Sequence, residues 1–361
     1  MLNTRSDALI SVAVVFLGFL AATVLIIIIG RDPRGMYEAI LQVVTGYDTR
    51  RGTWNMRNVG EWLVSSIPLI LCGLSVAFAF RTGLFNIGAE GQFIIGLTTA
   101  QLIALFFPPI PVLHWVMAVT GAIAAGALWG GLVGFFKARF KVSEVVATIM
   151  MNYIALFIHR IITLRVSGGN TFRTPNFPAT ATLSSPLLAS ITNGSRLNNS
   201  LMFTLAAIVI FWLIMGKTRL GFSLRATGLN KDAAFYSGIN VNANITMAMA
   251  IAGAFAGLAG ASVSLGVFSH GRVLAGFDGF GFDGIAVALV GNSTAWGAAL
   301  AGLLFGMLRS AQPLMQGRMI PREITAIITG FIVVLISLRA GVRLFIEWQM
   351  KKKIRRNDGD F

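Results

Sequence analysis

Gly83-Leu84-Phe85-Asn86-Ile87-Gly88-Ala89-Glu90-Gly91 and Gly276-Phe277-Asp278-Gly279-Phe280-Gly281-Phe282-Asp283-Gly284 follow one pattern, Gly-x4-Gly-x-acid-Gly. Two further echoes come after them in the same order. Gly130-x3-Gly134 ahead of Lys137 is matched by Gly302-x3-Gly306 ahead of Arg309, and Glu144-Val145-Val146-Ala147 by Glu323-Ile324-Thr325-Ala326. The sequence around these echoes is almost entirely apolar segments of membrane-spanning length. A membrane chain folded twice over keeps its pathway where the two halves meet. The repeats therefore point to a transporter.

Composition agrees. Hydrophobic residues make up 55% of the chain and charged ones 12%, a balance that a soluble domain of this size does not carry. Forty glycines fit a helical bundle in lipid, where small residues let backbones approach closely. The single Cys72 excludes a disulfide or thiolate cluster within one chain, and His114, His159 and His270 are too scattered for a metal site. The net charge of +15 comes from basic residues set between hydrophobic segments, the pattern of membrane anchoring and not of nucleic-acid binding. Residues 8–30 are too long an apolar run for a signal peptide and read as a retained helix.

With roughly 20 apolar residues needed per crossing, the expected spans are 8–30, 61–80, 90–107, 112–136, 143–164, 200–216, 243–266, 281–295, 296–311 and 322–339. The fold class expected is an all-α integral membrane protein of about ten helices, a single domain over 1–361. Ten spans place both termini on one side. The basic tail Lys351-Lys352-Lys353-Ile354-Arg355-Arg356 makes that side cytoplasmic, together with Lys137, Arg139, Lys141 and the basic loop 217–231. Arg31, Arg34, Arg50, Arg51 and Arg57 fall on the other side, in a long loop where charge bias is a weaker guide. In this scheme Lys137 ends a helix inside and Arg309 ends one outside, while Glu144 and Glu323 open helices from opposite faces. Halves of roughly 8–164 and 200–339 are then inverted repeats.

Candidate pathway residues are Asn86, Glu90, Gln92, Asn152, Asp278 and Asp283. Glycines free the backbone to leave the helix, and an ionisable group inside a membrane is held for a pathway or a structural pair. The second reading makes Glu90 and Arg81 ordinary turn residues between spans, with Asp278 and Asp283 facing the same choice on the opposite side. Gly279-x-Gly281-x-x-Gly284 mimics a dinucleotide fingerprint without the βαβ context that it needs, and Gly216-Lys217-Thr218 lacks the leading glycine of a phosphate loop. Glycines four apart, at 126, 130 and 134, at 253 and 257, and at 302 and 306, mark close-packing helix faces. In the polar loop 217–242, Asp232 can open a short helix and Gly238 can close it. Phe235 and Tyr236 then make a docking knob for a cytoplasmic partner.

At these residues the chain resembles the permease subunits of bacterial ABC importers, in the branch of the ribose and branched-chain amino acid permeases and nearest the nucleoside and simple-sugar ones. The resemblance covers roughly 60–340. It rests on Gly83 to Gln92, on Ser143-Glu144-Val145-Val146-Ala147-Thr148-Ile149-Met150-Met151-Asn152-Tyr153, and on Arg225-Ala226-Thr227-Gly228-Leu229-Asn230 continuing to Gly238-Ile239-Asn240. It implies that Arg225, Asp232, Ala233, Ala234, Phe235 and Gly238 belong to a coupling helix seated in a groove of an ATPase, with Asp232 where the motif usually has Glu. It also implies cytoplasmic ATP-binding subunits that bind and hydrolyse ATP, a second permease and an extracellular substrate-binding lipoprotein in a bacterial plasma membrane. No cofactor and no catalysis would belong to this chain. The expected activity is inward movement of a nucleoside by alternating access, with a simple sugar as the second choice. A secondary, ion-coupled transporter is the rival; it would need Glu90 or Asp283 as a free coupling carboxylate.

Overall fold

The computed structural model describes residues 4–337, with side chains from 13 to 335. The basic tail and the last residues of the tenth expected span lie outside the described residues. In chain order come α1 (Thr4–Ile28), α2 (Arg34–Thr45), the β1–β2 hairpin (Tyr47–Asp48, Thr53–Trp54), α3 (Arg57–Arg81), α4 (Ala89–Phe106), α5 (Leu113–Phe140) and α6 (Glu144–Thr163). Then follow β3 (Arg173–Asn176), α7 (Pro186–Ile191), α8 (Ser200–Lys217), α9 (Arg219–Leu229), α10 (Lys231–Tyr236) and α11 (Val241–Ala261), which ends in a π turn. β4 (His270–Arg272), α12 (Phe280–Val290), α13 (Ala295–Gln316) and α14 (Glu323–Ser337) complete the chain. Only β1–β2 and the antiparallel pair β3–β4 interrupt the helices among the described residues. The protein is an all-α integral membrane protein. Seven helices are long and apolar enough to cross a membrane, and three shorter apolar ones fall on the first, eighth and tenth expected spans.

Two compact units divide the chain, residues 1–36 with 315–361, and residues 37–314. In the first, α1 packs on α14 at Gly18, where a Cβ would lie 2.6 Å from Ile332 Cγ1. The second is built round α3, which is buried along almost its whole length from Val64 to Ala79 and touches α4, α8, α11 and α12. Apolar residues on every face of a helix demand such a central place.

The glycine faces pack as their spacing predicts, inside the chain. A Cβ on Gly126 would lie 2.8 Å from Gly257 Cα, and one on Gly134 2.8 Å from Thr246 Cα, so α5 and α11 meet backbone to backbone. Gly302 and Gly306 bring α13 equally close to α3, at Ile70 and Ser66.

The expected span 281–295 is not a full helical crossing. Gly291 and the positive-φ pair Asn292 and Ser293 end α12 after 11 residues, about 16 Å of helix where the hydrocarbon core needs about 30 Å. The chain therefore descends to the start of α12 as non-helical backbone. α13 in turn is longer than expected, with 22 residues, and Arg309 lies within it rather than at its end.

A side chain in the α5–α11 contact would push two backbones apart. Gly253→Leu should abolish accumulation of folded protein, whereas Gly216→Ala, which meets nothing within 4 Å, should leave the melting temperature in detergent unchanged or slightly raised.

Candidate functional site

The two glycine-broken segments meet. Glu90, in the first turn of α4, is fully buried, and its carboxylate accepts from the backbone N–H of Gly279 at 2.9 Å and of Gly281 at 2.6 Å, at the start of α12. Helix N-termini carry unpaired donors and a partial positive charge, and Glu90 answers both. Glycine is required at 281: a Cβ there would collide with the Glu90 backbone. Gly279 has φ +82° and bends the chain into the helix. The site lies deep, since Gly284 touches Cys72, nine residues or about 14 Å of helix before the end of α3.

α4 and α12 start beside one another and run apart. α4 follows α6, with Asn152 at Gly91 and His159 at Thr98. α12 follows the last turns of α3, where Arg81 Nε donates to Ser293 O at 2.8 Å. The turn before α4 is fixed by amides. Asn86 and Gln92 exchange hydrogen bonds of 3.0 and 3.2 Å, Asn86 also donates to Ser75, and Asn86 Oδ1 accepts from Gly88 N–H. Asn152 Oδ1 accepts from Gly91 N–H at 2.7 Å while its Nδ2 donates to Ile87 O.

Four of the six expected pathway residues, Asn86, Glu90, Gln92 and Asn152, are thus buried within the chain. Asp278 and Asp283 are not on an opposite side from Glu90, as the span count required; both stand beside it, on a partly open surface. Arg272 forks onto Asp278 with bonds of 2.5 and 2.9 Å. Arg309 lies 3.5 Å from Asp283, donates to Asp278 O and stands over the Phe280 ring at 3.9 Å. His159 Nε2 accepts from Leu274 N–H and steadies the descending backbone. Ala275 and Gly276 are exposed. Next to them Tyr153, Phe277 and Phe282 form a ladder of T-shaped contacts, 5.1 and 5.6 Å between centroids, with Tyr153 49% and Phe282 39% exposed.

Sequence reasoning missed Arg272, His159, Tyr153, Phe277 and Phe282. It placed Arg309 at a helix end, although a cation within an apolar helix signals an intramembrane partner. The ion-coupled rival loses its free carboxylates, because Glu90 holds two N–H groups and Asp283 faces Arg309.

The segment 217–242 is two helices, not a loop with one. α10 is capped by Asn230, whose side chain accepts from Asp232 and Ala233 N–H, so Asn230 and not Asp232 opens it. Gly238, φ +80°, closes it. Asp232, Ala233, Phe235, Tyr236 and Gly238 are exposed, while Ala234 is buried against the chain itself and presents nothing to a partner. Arg225 lies in α9 with Nε donating to Gly221 O.

A multi-pass helical protein with a short apolar helix that starts deep in the bundle beside paired charges has the architecture of a membrane permease. Residues 58–337 match the family described as branched-chain amino acid transport system / permease component, and the chain belongs to that family. It is 40% identical to the guanosine ABC transporter permease protein of Bacillus subtilis, over 98% of this chain and 99% of that one. Identity to the nucleoside ABC transporter permease protein of Lactococcus lactis is 35%, over 97% and 94%. A glucose ABC transporter permease protein of Haloferax volcanii is 33% identical over 69% of this chain and 67% of its own. The chain is a transport component and not an enzyme.

Glu90→Ala would orphan two buried N–H groups, at about 1–3 kcal/mol each. It should lower the melting temperature of the detergent-purified protein far more than Asp283→Ala, whose carboxylate is 44% exposed.

Proposed function

We propose that the chain is the membrane-spanning subunit of an ATP-driven ABC importer that moves nucleosides into a bacterial cell by alternating access. The observation that carries this reading is segment 272–283. From Arg272 at one end of the bundle it carries open backbone, with Asp278 and Asp283, down to the buried Glu90, into a depth where lipid tolerates neither. Such a surface has to face a water-filled path shared with a second permease. Tyr153, Phe277 and Phe282 offer ring faces to a nucleobase, and the half-exposed carboxylate of Asp283 offers an acceptor to ribose hydroxyls. Asn86, Glu90, Gln92 and Asn152 hold this wall from behind.

The remaining parts follow the ABC arrangement. The exposed face of α10, with Asp232, Ala233, Phe235, Tyr236 and Gly238, docks in a groove of a cytoplasmic ATP-binding subunit. Ala234 and Arg225 seat it on this chain. ATP is bound and hydrolysed by those subunits. The β3–β4 pair and the loop before α8 lie at the other end of the bundle and face an extracellular substrate-binding lipoprotein. Both termini are cytoplasmic, and the halves 8–164 and 200–339 are inverted copies, in keeping with the opposed directions of α4 and α12. The similarity to a glucose permease supports a simple sugar as the second reading.

In liposomes holding the complete complex, uptake of labelled guanosine should require ATP, survive collapse of the proton gradient, and be competed by other nucleosides but not by glucose. Competition by glucose alone would select the sugar reading. Phe277→Ala should slow nucleoside uptake by about tenfold, the scale of one lost base–aromatic stack.

Ala233→Trp should release the ATP-binding subunit on co-purification, because a groove fitted to a small residue has no room for an indole. Phe172→Trp, on an exposed residue of the opposite loop, should leave the complex intact.

A further inference from the structure

α12 is held at both ends by one short stretch of chain. Arg81 Nε donates to Ser293 O just after its C-terminus, and Glu90 accepts from Gly279 and Gly281 N–H at its N-terminus. Between Arg81 and Glu90 the turn is stiff. The N–H groups of Thr82, Gly83 and Leu84 bond back to Ala79 and Phe80 carbonyls, and the Asn86, Gln92, Ser75 and Asn152 amide network closes the rest.

The other side of the same turn touches α9. A Cβ on Gly228 would lie 2.7 Å from Arg81 O and 2.9 Å from Gly83 N, and one on Gly83 3.0 Å from Gly228 O. The two backbones are in direct contact. Side chains between packed elements change rotamer and absorb small displacements; here none intervenes, and close-packed, hydrogen-bonded elements shift as units.

We propose that turn 81–91 is the transmission element of the permease: movement of α9–α10 pushes it through the Gly228–Gly83 contact, and α12 moves with it as a rigid strut, resetting segment 272–283. Glu90 and Arg81 are positioning residues that pin the two ends of the strut. The inference rests on the proposed ABC reading, since it needs a force applied at α10.

The test uses the complete complex in liposomes, with Cys72→Ser and Gly276→Cys as a reporter on the exposed end of the segment. In this parent, thiol labelling at position 276 should differ between the nucleotide-free and ATP-trapped states. Gly228→Ala and Glu90→Gln should keep the ATP-binding subunit on co-purification, lose the nucleotide dependence of labelling, and cut uptake per ATP hydrolysed by about tenfold, an ordinary coupling energy. Arg81→Gln changes an exposed residue and so should assemble even where the buried variants do not; it should give a smaller loss in the same direction. Normal coupling and nucleotide-dependent labelling in Arg81→Gln and in every buried variant that assembles would overturn the transmission role. An unsubstituted complex that takes up no substrate with ATP would instead overturn the functional reading on which it rests.

Discussion

One carboxylate holds the centre of this protein together. Glu90 is fully buried, and two backbone N–H groups at the start of α12 are its partners. Either side alone would be costly: a lone carboxylate in low dielectric, or a helix that begins in mid-bundle with its first donors unpaired. Together they cancel. The N-termini of α4 and α12 both converge on the same anion, so two helix dipoles add to the hydrogen bonds. The local sequence follows from that contact. Gly281 is glycine because the Glu90 backbone occupies the space of a Cβ, and Gly279 is glycine because its φ is +82°.

The fold was legible wherever its cause is periodic. Glycines spaced by four marked the close-packing faces of α5, α11 and α13, and the long apolar runs announced their helices. A hydropathy ruler failed at 281–295 because it sums apolar residues without noticing where the helix stops. Gly291-Asn292-Ser293-Thr294 is a recognisable stop. Once α12 is cut there, 11 residues leave it too short to reach the far side, and its start has to lie deep in the bundle. The site was legible in composition and not in partnership. Asn86, Glu90, Gln92 and Asn152 stand out as polar groups in apolar surroundings, but their bonds join residues as far as 191 positions apart, and no local pattern encodes such a pairing.

The charges on the open side of the site are arranged differently from Glu90. Arg272 with Asp278 and Arg309 with Asp283 form pairs that leave the surface close to neutral, and Arg309 also covers the Phe280 ring. Neutral pairs lower the cost of holding charge at this depth without needing complete burial. In the proposed path such pairs would offer hydrogen-bonding edges and aromatic faces but no strong net field. Conduction through a protein requires sites that are weak enough to leave.

The two copies of the Gly-x4-Gly-x-acid-Gly pattern meet as complementary halves of one joint. The first contributes its acid, Glu90, as acceptor. The second contributes its glycine N–H groups as donors, and its own acid, Asp283, has turned to Arg309. Segments related by an axis lying in the membrane plane approach each other most closely at mid-depth, on that axis. A contact made there is the one place where a displacement of either half is felt directly by the other. In the proposed inverted pair it is therefore the natural position for a rigid pin, about which an element opening the path to either face would turn.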